Sequence, residues 1–149
     1  MQFHPTDDLR DEAIFLRLDR TCEADPARQF VPAYKFVICL HDGTEAGVCD
    51  LRLGHNERLY VGGNIGYEVY EPYRGHHYAA RAVALLKILA RRHGMDYLLI
   101  TCQSDNPASA RTILRAGGEY IETAPIPPWH DMYQRGLREA CVYKVLLNE

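Results

Sequence analysis

Near residue 70 the hydrophobic period of this 149-residue chain changes from two to 3.6, so a sheet and a helix must share one core. Before that point the signals are those of strands. Ala13 to Leu18 is a short apolar run, and Tyr34 to Leu40 and Glu45 to Leu53 flank His41-Asp42-Gly43-Thr44, an Asp-Gly hairpin signal. A loop through Gly54 to Arg58 leads to a further strand, Gly63 to Tyr70, which stops at Glu71-Pro72. After that point Ala79, Ala82, Val83, Leu85, Leu86, Leu89 and Ala90 form one stripe, predicting a helix over 75–93 closed by Gly94. Tyr97 to Cys102 is continuously apolar, as a strand buried on both faces would be. A second helix is signalled by Asp105-Asn106-Pro107 and stopped by Gly117-Gly118. Glu119 to Thr123, a Pro-rich loop over 124–133, and Glu139 to Leu147 complete the order. The expected class is α/β (α+β): a meander feeding a βαβ unit and closing with an antiparallel pair, in a mixed sheet of seven strands covered by helices.

Composition supports one domain over residues 1–149, since 47% hydrophobic and 25% charged residues exclude collagen-like and disordered chains. At this length roughly 70% of the unfolded surface can be buried without staples. Cys22, Cys39, Cys49, Cys102 and Cys141 are odd in number and form no C-x-x-C pair, which argues against a disulfide framework and for a reducing compartment. The first residues carry no signal-like charge and apolar pattern, and no run reaches the 18 apolar residues of a membrane span, so a cytoplasmic place and no membrane partner are expected. The seven histidines have no ligand spacing, so no metal is expected. The net charge of -3 is uneven: seven basic against thirteen acidic residues over 1–73, seven against two over 74–115, and three against five over 116–149. Arg81, Lys87, Arg91 and Arg92 read as the solvated face of the long helix, and sparse aromatics with a pI near 6.2 do not suggest a nucleic-acid platform.

The chemistry concentrates at Tyr73-Arg74-Gly75-His76-His77-Tyr78-Ala79, where a strand turns into the long helix. Such a turn presents unpaired backbone N–H groups beside the positive end of a helix dipole, and Arg74 adds a charge suited to phosphate. A plain connection with an exposed Arg is the alternative. This segment resembles the pyrophosphate-binding turn of the GNAT superfamily of acyl-CoA-dependent N-acyltransferases, Arg/Gln-x-x-Gly-x-Gly/Ala, with His77 standing where the family has Gly. Asn106-Pro107-Ala108-Ser109 followed by an amphipathic helix and Arg115-Ala116-Gly117-Gly118 resembles the second family signature, in the Asn-x-x-Ser form of ribosomal-protein and spermidine-type N-acetyltransferases. The likeness covers residues 34–123 well, and the two N-terminal helices of many members look reduced or absent.

The resemblance implies a GNAT-like sheet, mostly antiparallel with helices on both faces, whose fourth and fifth strands splay to admit the pantetheine arm of acetyl-CoA. Tyr67 and Val69 would offer backbone groups to that arm. Arg74, Gly75, His76, His77, Tyr78 and Ala79 would take the pyrophosphate, and Asn106, Ser109 and Arg111 would lie along the pantetheine. His77 either crowds the pyrophosphate or contributes its imidazole. The implied reaction is direct attack of an amine on the thioester. The acceptor would be a small-molecule or peptide amine, and a homodimer is compatible with it. Many members carry a Tyr acid seven residues after the Asn, and that position is Ile113 here. Ser109 is then the candidate acid, although a first-turn Ser can serve merely to satisfy backbone amides. Glu68 is the candidate base unless strand parity aims it at solvent. Trp129, Asp131 and Tyr133 are candidates for the acceptor wall, the alternative being a Pro-fixed surface loop. His77 for Gly and Ile113 for Tyr also leave open a CoA-binding module without turnover.

Overall fold

A computed structural model describes residues 2–147. The meander is present as β1 (Ile14–Cys22), β2 (Ala33–Leu40), β3 (Glu45–Arg52) and β4 (Ile65–Val69), hydrogen-bonded in that order and antiparallel throughout. The hairpin joining β2 to β3 closes as its sequence predicts: Asp42 accepts the Thr44 N–H and Gly43 holds φ +93. Gly47 on β3 is required for another reason, since a Cβ there would lie 2.2 Å from the Glu68 carbonyl oxygen on β4. A second antiparallel sheet contains β5 (Tyr97–Cys102), β6 (Glu119–Pro125) and β7 (Glu139–Leu146), with β7 between the other two. The seven expected, mostly antiparallel strands are thus present, divided between two sheets. They are joined at Asn64, whose N–H donates to Leu99 O at 2.6 Å and whose side chain accepts the Leu99 N–H at 2.8 Å, while no ladder links β4 to β5.

The helices are α1 (Glu57–Gly62), α2 (Tyr78–Arg92), α3 (Pro107–Arg115) and α4 (Asp131–Gln134). One face of the structure buries Tyr34, Phe36, Ile38 and Leu51 against Val83, Leu86 and Leu89 of α2 and Ile113 of α3. The opposite face of the β5–β7–β6 sheet is covered by α1 and α4, with Val61, Leu99, Ile126 and Val142 in a second, smaller cluster. Leu99 thus points away from Leu98 and Ile100, and all three are buried, which explains why β5 carries no polar alternation. Helices therefore lie on both faces, but the outer face of β1–β4 lacks one, because residues 23–32 hold only a 3-10 turn, Pro26–Arg28. Among the described residues no helix is long and apolar enough to cross a membrane.

Several boundaries differ from expectation. The first strand continues to Cys22 rather than stopping at Leu18, because its polar second half pairs with β2 at an exposed edge. The long helix begins at Tyr78, not Gly75, since a 3-10 turn over Glu71–Tyr73 intervenes. The expected loop at Gly54–Arg58 ends in α1, capped by the Asn56 side chain on the Leu59 N–H. The basic face of α2 is not simply solvated. Arg81 pairs with Asp11 and Glu12, Arg92 pairs with Asp8, Lys87 donates to Ala116 O and Arg91 donates to Leu147 O. The acidic N-terminal segment is thereby tied to the basic helix, and the bond from Arg92 holds the Asp8 carboxyl below its ordinary range.

The N-terminal segment has a second tether. Tyr34 accepts the His4 N–H at 2.7 Å and lies 2.6 Å from His93 Nε2; because Tyr34 is fully buried, its own hydroxyl hydrogen needs an acceptor, and Nε2 is the one within reach. This needs a neutral His93, whose pKa is lowered by burial and by the neighbouring His4. The contribution is complete above the ordinary histidine value of about 6.5 and is lost as pH falls through the lower folded-state value. The melting temperature should therefore fall on acidification below about pH 6.5, and His93→Gln should flatten that part of the profile. Equal slopes would exclude the tether.

Candidate active site

The residues of the phosphate-type turn and of the Asn-x-x-Ser segment meet across the gap between β4 and α3. They line a cavity of about 530 Å³ that opens at the N-terminus of α2. Tyr67, Glu68, Val69, Arg74, Gly75, His77, Tyr78, Ala79, Asn106, Ser109 and Arg111 all reach it. His76 does not: it is exposed and stacks on Tyr78 with ring centroids 5.3 Å apart.

One edge of β4 faces this cavity. The bonds Tyr70 N–H to Ala46 O and Arg52 N–H to Asn64 O mark the even-numbered residues as those facing β3. In an antiparallel ladder the intervening residues turn their N–H and C=O the other way, so Tyr67 and Val69 present backbone groups on the side without a ladder. Val69 O accepts Arg74 Nε at 2.9 Å, which holds the guanidinium beside that edge.

At the mouth of the cavity α2 supplies the N–H groups of its first turn, which have no acceptor within the helix. His77 caps it at φ 61, ψ 24, the left-handed conformation that a glycine adopts at low cost. The backbone of the turn is therefore the glycine-like one, reached with strain. His77→Gly should stabilise the protein by about 0.5 to 1 kcal/mol, read as a higher melting temperature. An unchanged or lower value would show that the imidazole offsets the strain.

On the α3 side the Asn106 side chain accepts the Ser109 N–H at 3.1 Å, so its Oδ1 serves as the helix cap. Ser109 Oγ lies 2.7 Å from the Tyr67 hydroxyl. Burial raises the Tyr67 pKa, so the phenol stays protonated. Arg111 and Arg115, one turn apart, add charge to the rim, and with Arg74 they set three cations against Glu68. Thr112 and Arg115 also line the cavity, although the resemblance uses Arg115 only as part of the second signature and assigns neither to the cofactor. The i+3 spacing from Ser109 and the i+4 spacing from Arg111 would have found them.

Glu68 is exposed, and strand alternation puts its side chain on the face opposite Tyr67. It lines both the cleft and a trough of about 370 Å³ on the uncovered outer face of β2–β4, with Lys35, Asp50 and Arg52. Asp50 is 7% exposed and accepts from Lys35 Nζ at 3.1 Å, Arg52 Nη2 at 3.0 Å and the Gly66 N–H at 2.7 Å. Trp129, Asp131 and Tyr133 do not line the cleft. Trp129 is 46% exposed, Tyr133 lies under Arg138, and Asp131 is ion-paired with Arg58 and Arg135. Asp131 instead edges a separate cavity of about 330 Å³, which shares Lys35 and Arg52 with the trough. Cys102 is buried with its thiol pushed up by desolvation, which disfavours a nucleophilic thiolate. Among the described residues no group of three or more His, Cys, Asp or Glu could hold a metal ion.

Comparison with known proteins follows the same outline. The acetyltransferase (GNAT) domain family model matches residues 1–119. A structure from Vibrio cholerae assigned as a ribosomal-protein-serine acetyltransferase is similar with TM-score 0.58 and 22% identity, over 76% of this chain and 64% of that one. A GNAT-family acetyltransferase from Bacillus anthracis is similar with TM-score 0.61 and 20% identity, over 77% and 67%. The yncA structure from Salmonella typhimurium, solved with its cofactor acetyl-CoA, is similar with TM-score 0.58 and 17% identity, over 78% and 66%. The chain thus spans about 64% of the length of the Vibrio cholerae structure. No curated protein sequence matches it. With the family model covering residues 1–119 of 149, the chain belongs to the GNAT acetyltransferase family.

Proposed function

We propose that the protein is an acetyl-CoA-dependent N-acetyltransferase that binds the cofactor in the cleft between β4 and α3. The observation that carries this reading is the open β4 edge running into a cation-rimmed helix N-terminus. The donor set fits the cofactor: α2 N–H groups and Arg74 for the pyrophosphate, Tyr67 and Val69 backbone for the pantetheine amides, and Arg111 and Arg115 for a further phosphate. Bound there, acetyl-CoA would supply an activated acetyl group. Ser109 would donate a proton to the departing sulfur, and Glu68, directly or through water, would take one from the amine. The acceptor amine, of a small molecule or of a peptide or protein, would approach from the uncovered outer face along the trough at Glu68, rather than past Trp129, Asp131 and Tyr133.

Acetyl-CoA at 100 times its dissociation constant should stabilise the protein by about 2.7 kcal/mol. Thiol release should follow with at least one member of a panel of peptide and small-molecule amines. Stabilisation without release across the panel would favour a silent CoA-binding module, and no stabilisation would contradict the reading.

A further inference from the structure

The cleft holds a hydroxyl pair whose members come from different elements. Tyr67 on β4 and Ser109 on α3, 42 positions apart in sequence, meet at 2.7 Å, and the Tyr67 hydroxyl also contacts Ser109 O at 3.3 Å. Both residues line the cofactor cavity. Tyr67 lies two residues further along β4 from the turn than Val69, which Arg74 touches, so the pair sits about 7 Å deeper than the phosphate end of the strand. An aliphatic hydroxyl is a poor acid for a thiolate. A phenol, even one whose pKa burial raises, is a far stronger acid than an aliphatic hydroxyl and so a better proton source for a thiolate.

Resting on the cofactor site proposed above, we propose that Tyr67 is a positioning residue that turns the Ser109 hydroxyl toward the cofactor's sulfur and replaces the proton Ser109 gives up. As the carbon–sulfur bond breaks, the sulfur takes the Ser109 Oγ proton and Oγ takes the Tyr67 proton. The phenolate is then reprotonated from water. On the other side the amine nitrogen forms the new carbon–nitrogen bond and loses its proton to Glu68 or water, so one proton enters at Tyr67 for each that leaves at the acceptor. Burial keeps Tyr67 protonated between turnovers. The Asn106 cap on the Ser109 N–H fixes the first turn of α3, so Oγ stays facing β4.

The test needs no acceptor. Hydroxyl donation to a thiolate lowers the thiol pKa. Ultraviolet thiolate absorbance should be titrated for the CoA complex, with the desulfo-CoA complex subtracted to remove the protein's own tyrosines and cysteines. In the wild type the bound thiol should titrate about one pH unit below free CoA, the shift expected for a hydrogen bond to a charged group. Ser109→Ala should abolish that shift. Tyr67→Phe, which keeps the packed ring, should remove about half of it. A wild-type thiol that titrates as free CoA, or a Tyr67→Phe complex that titrates as wild type, would overturn the proposal while leaving the cofactor site standing. Failure of CoA to bind would overturn the cofactor site and the proposal with it.

Discussion

Arg74→Ala is expected to weaken CoA binding about 10- to 100-fold while leaving the melting temperature of the ligand-free protein almost unchanged. A charge-assisted bond from guanidinium to phosphate is worth about 1.5 to 3 kcal/mol, which converts to that range of affinity. Among the described residues the exposed Arg74 side chain bonds only Val69 O, so its removal costs little. Arg81→Ala is the control. It removes a cation from α2, the helix that follows the Arg74 turn, but one committed to Asp11 and Glu12 and outside the cavity, so affinity should hold. Isothermal titration with both variants separates a specific phosphate contact from the general field of the basic helix. Equal losses would assign the effect to net charge.

The second large effect belongs to Asp50. Its carboxylate is buried, and it joins Lys35 on β2, Arg52 on its own strand and the Gly66 N–H on β4. Arg52 in turn donates to Gly62 O and Gly63 O, so this one group ties the start of β4 to the rest of the meander. Asp50→Ala leaves two cations and a backbone N–H without their acceptor. The partners retain some access to water, with side chains 36% and 29% exposed, so a loss of about 2 to 4 kcal/mol is expected rather than the full cost of an isolated buried charge. In a domain of this size that lowers the melting temperature by roughly 5 to 15 °C. Asp50→Asn keeps one acceptor oxygen and should recover part of it. Because β4 carries the edge proposed to bind pantetheine, Asp50→Ala should also weaken CoA binding, although Asp50 does not line that cavity.

The candidate cleft was legible wherever its signal was local. The turn at Arg74 to Ala79 and the cap at Asn106 each sit at a helix start, where a few consecutive residues determine the backbone, and the structure brings ten of those and neighbouring expected residues to one cavity together with Arg111. Tyr67 was expected there for its backbone, but its hydroxyl contact with Ser109 depends on two elements separated by α2 and β5, which no spacing encodes. The same reason hid the pairing of the acidic N-terminal segment with Arg81 and Arg92, whose charges read as an exposed face when only the helix is considered. Short elements were missed because propensity over four to six residues is weak: α1 and α4 hold through a side-chain cap and packing against the second sheet. The second half of β1 escaped detection because it forms an exposed ladder with almost no buried side chain to give period two. The expectation of an acceptor wall at Trp129, Asp131 and Tyr133 rests on the family resemblance of the segment between the last two strands and on side chains suited to an amine. Asp131 is ion-paired with Arg58, across 73 positions, and edges a different cavity, a contact that no local spacing encodes.

The structure of the protein with CoA bound tests the central claim most directly. The pyrophosphate should lie within hydrogen-bond reach of the Tyr78 and Ala79 N–H groups and of Arg74, with the pantetheine along Tyr67 and Val69. A cofactor seated elsewhere, or a pyrophosphate held away from the α2 N-terminus with His77 filling the turn, would contradict it.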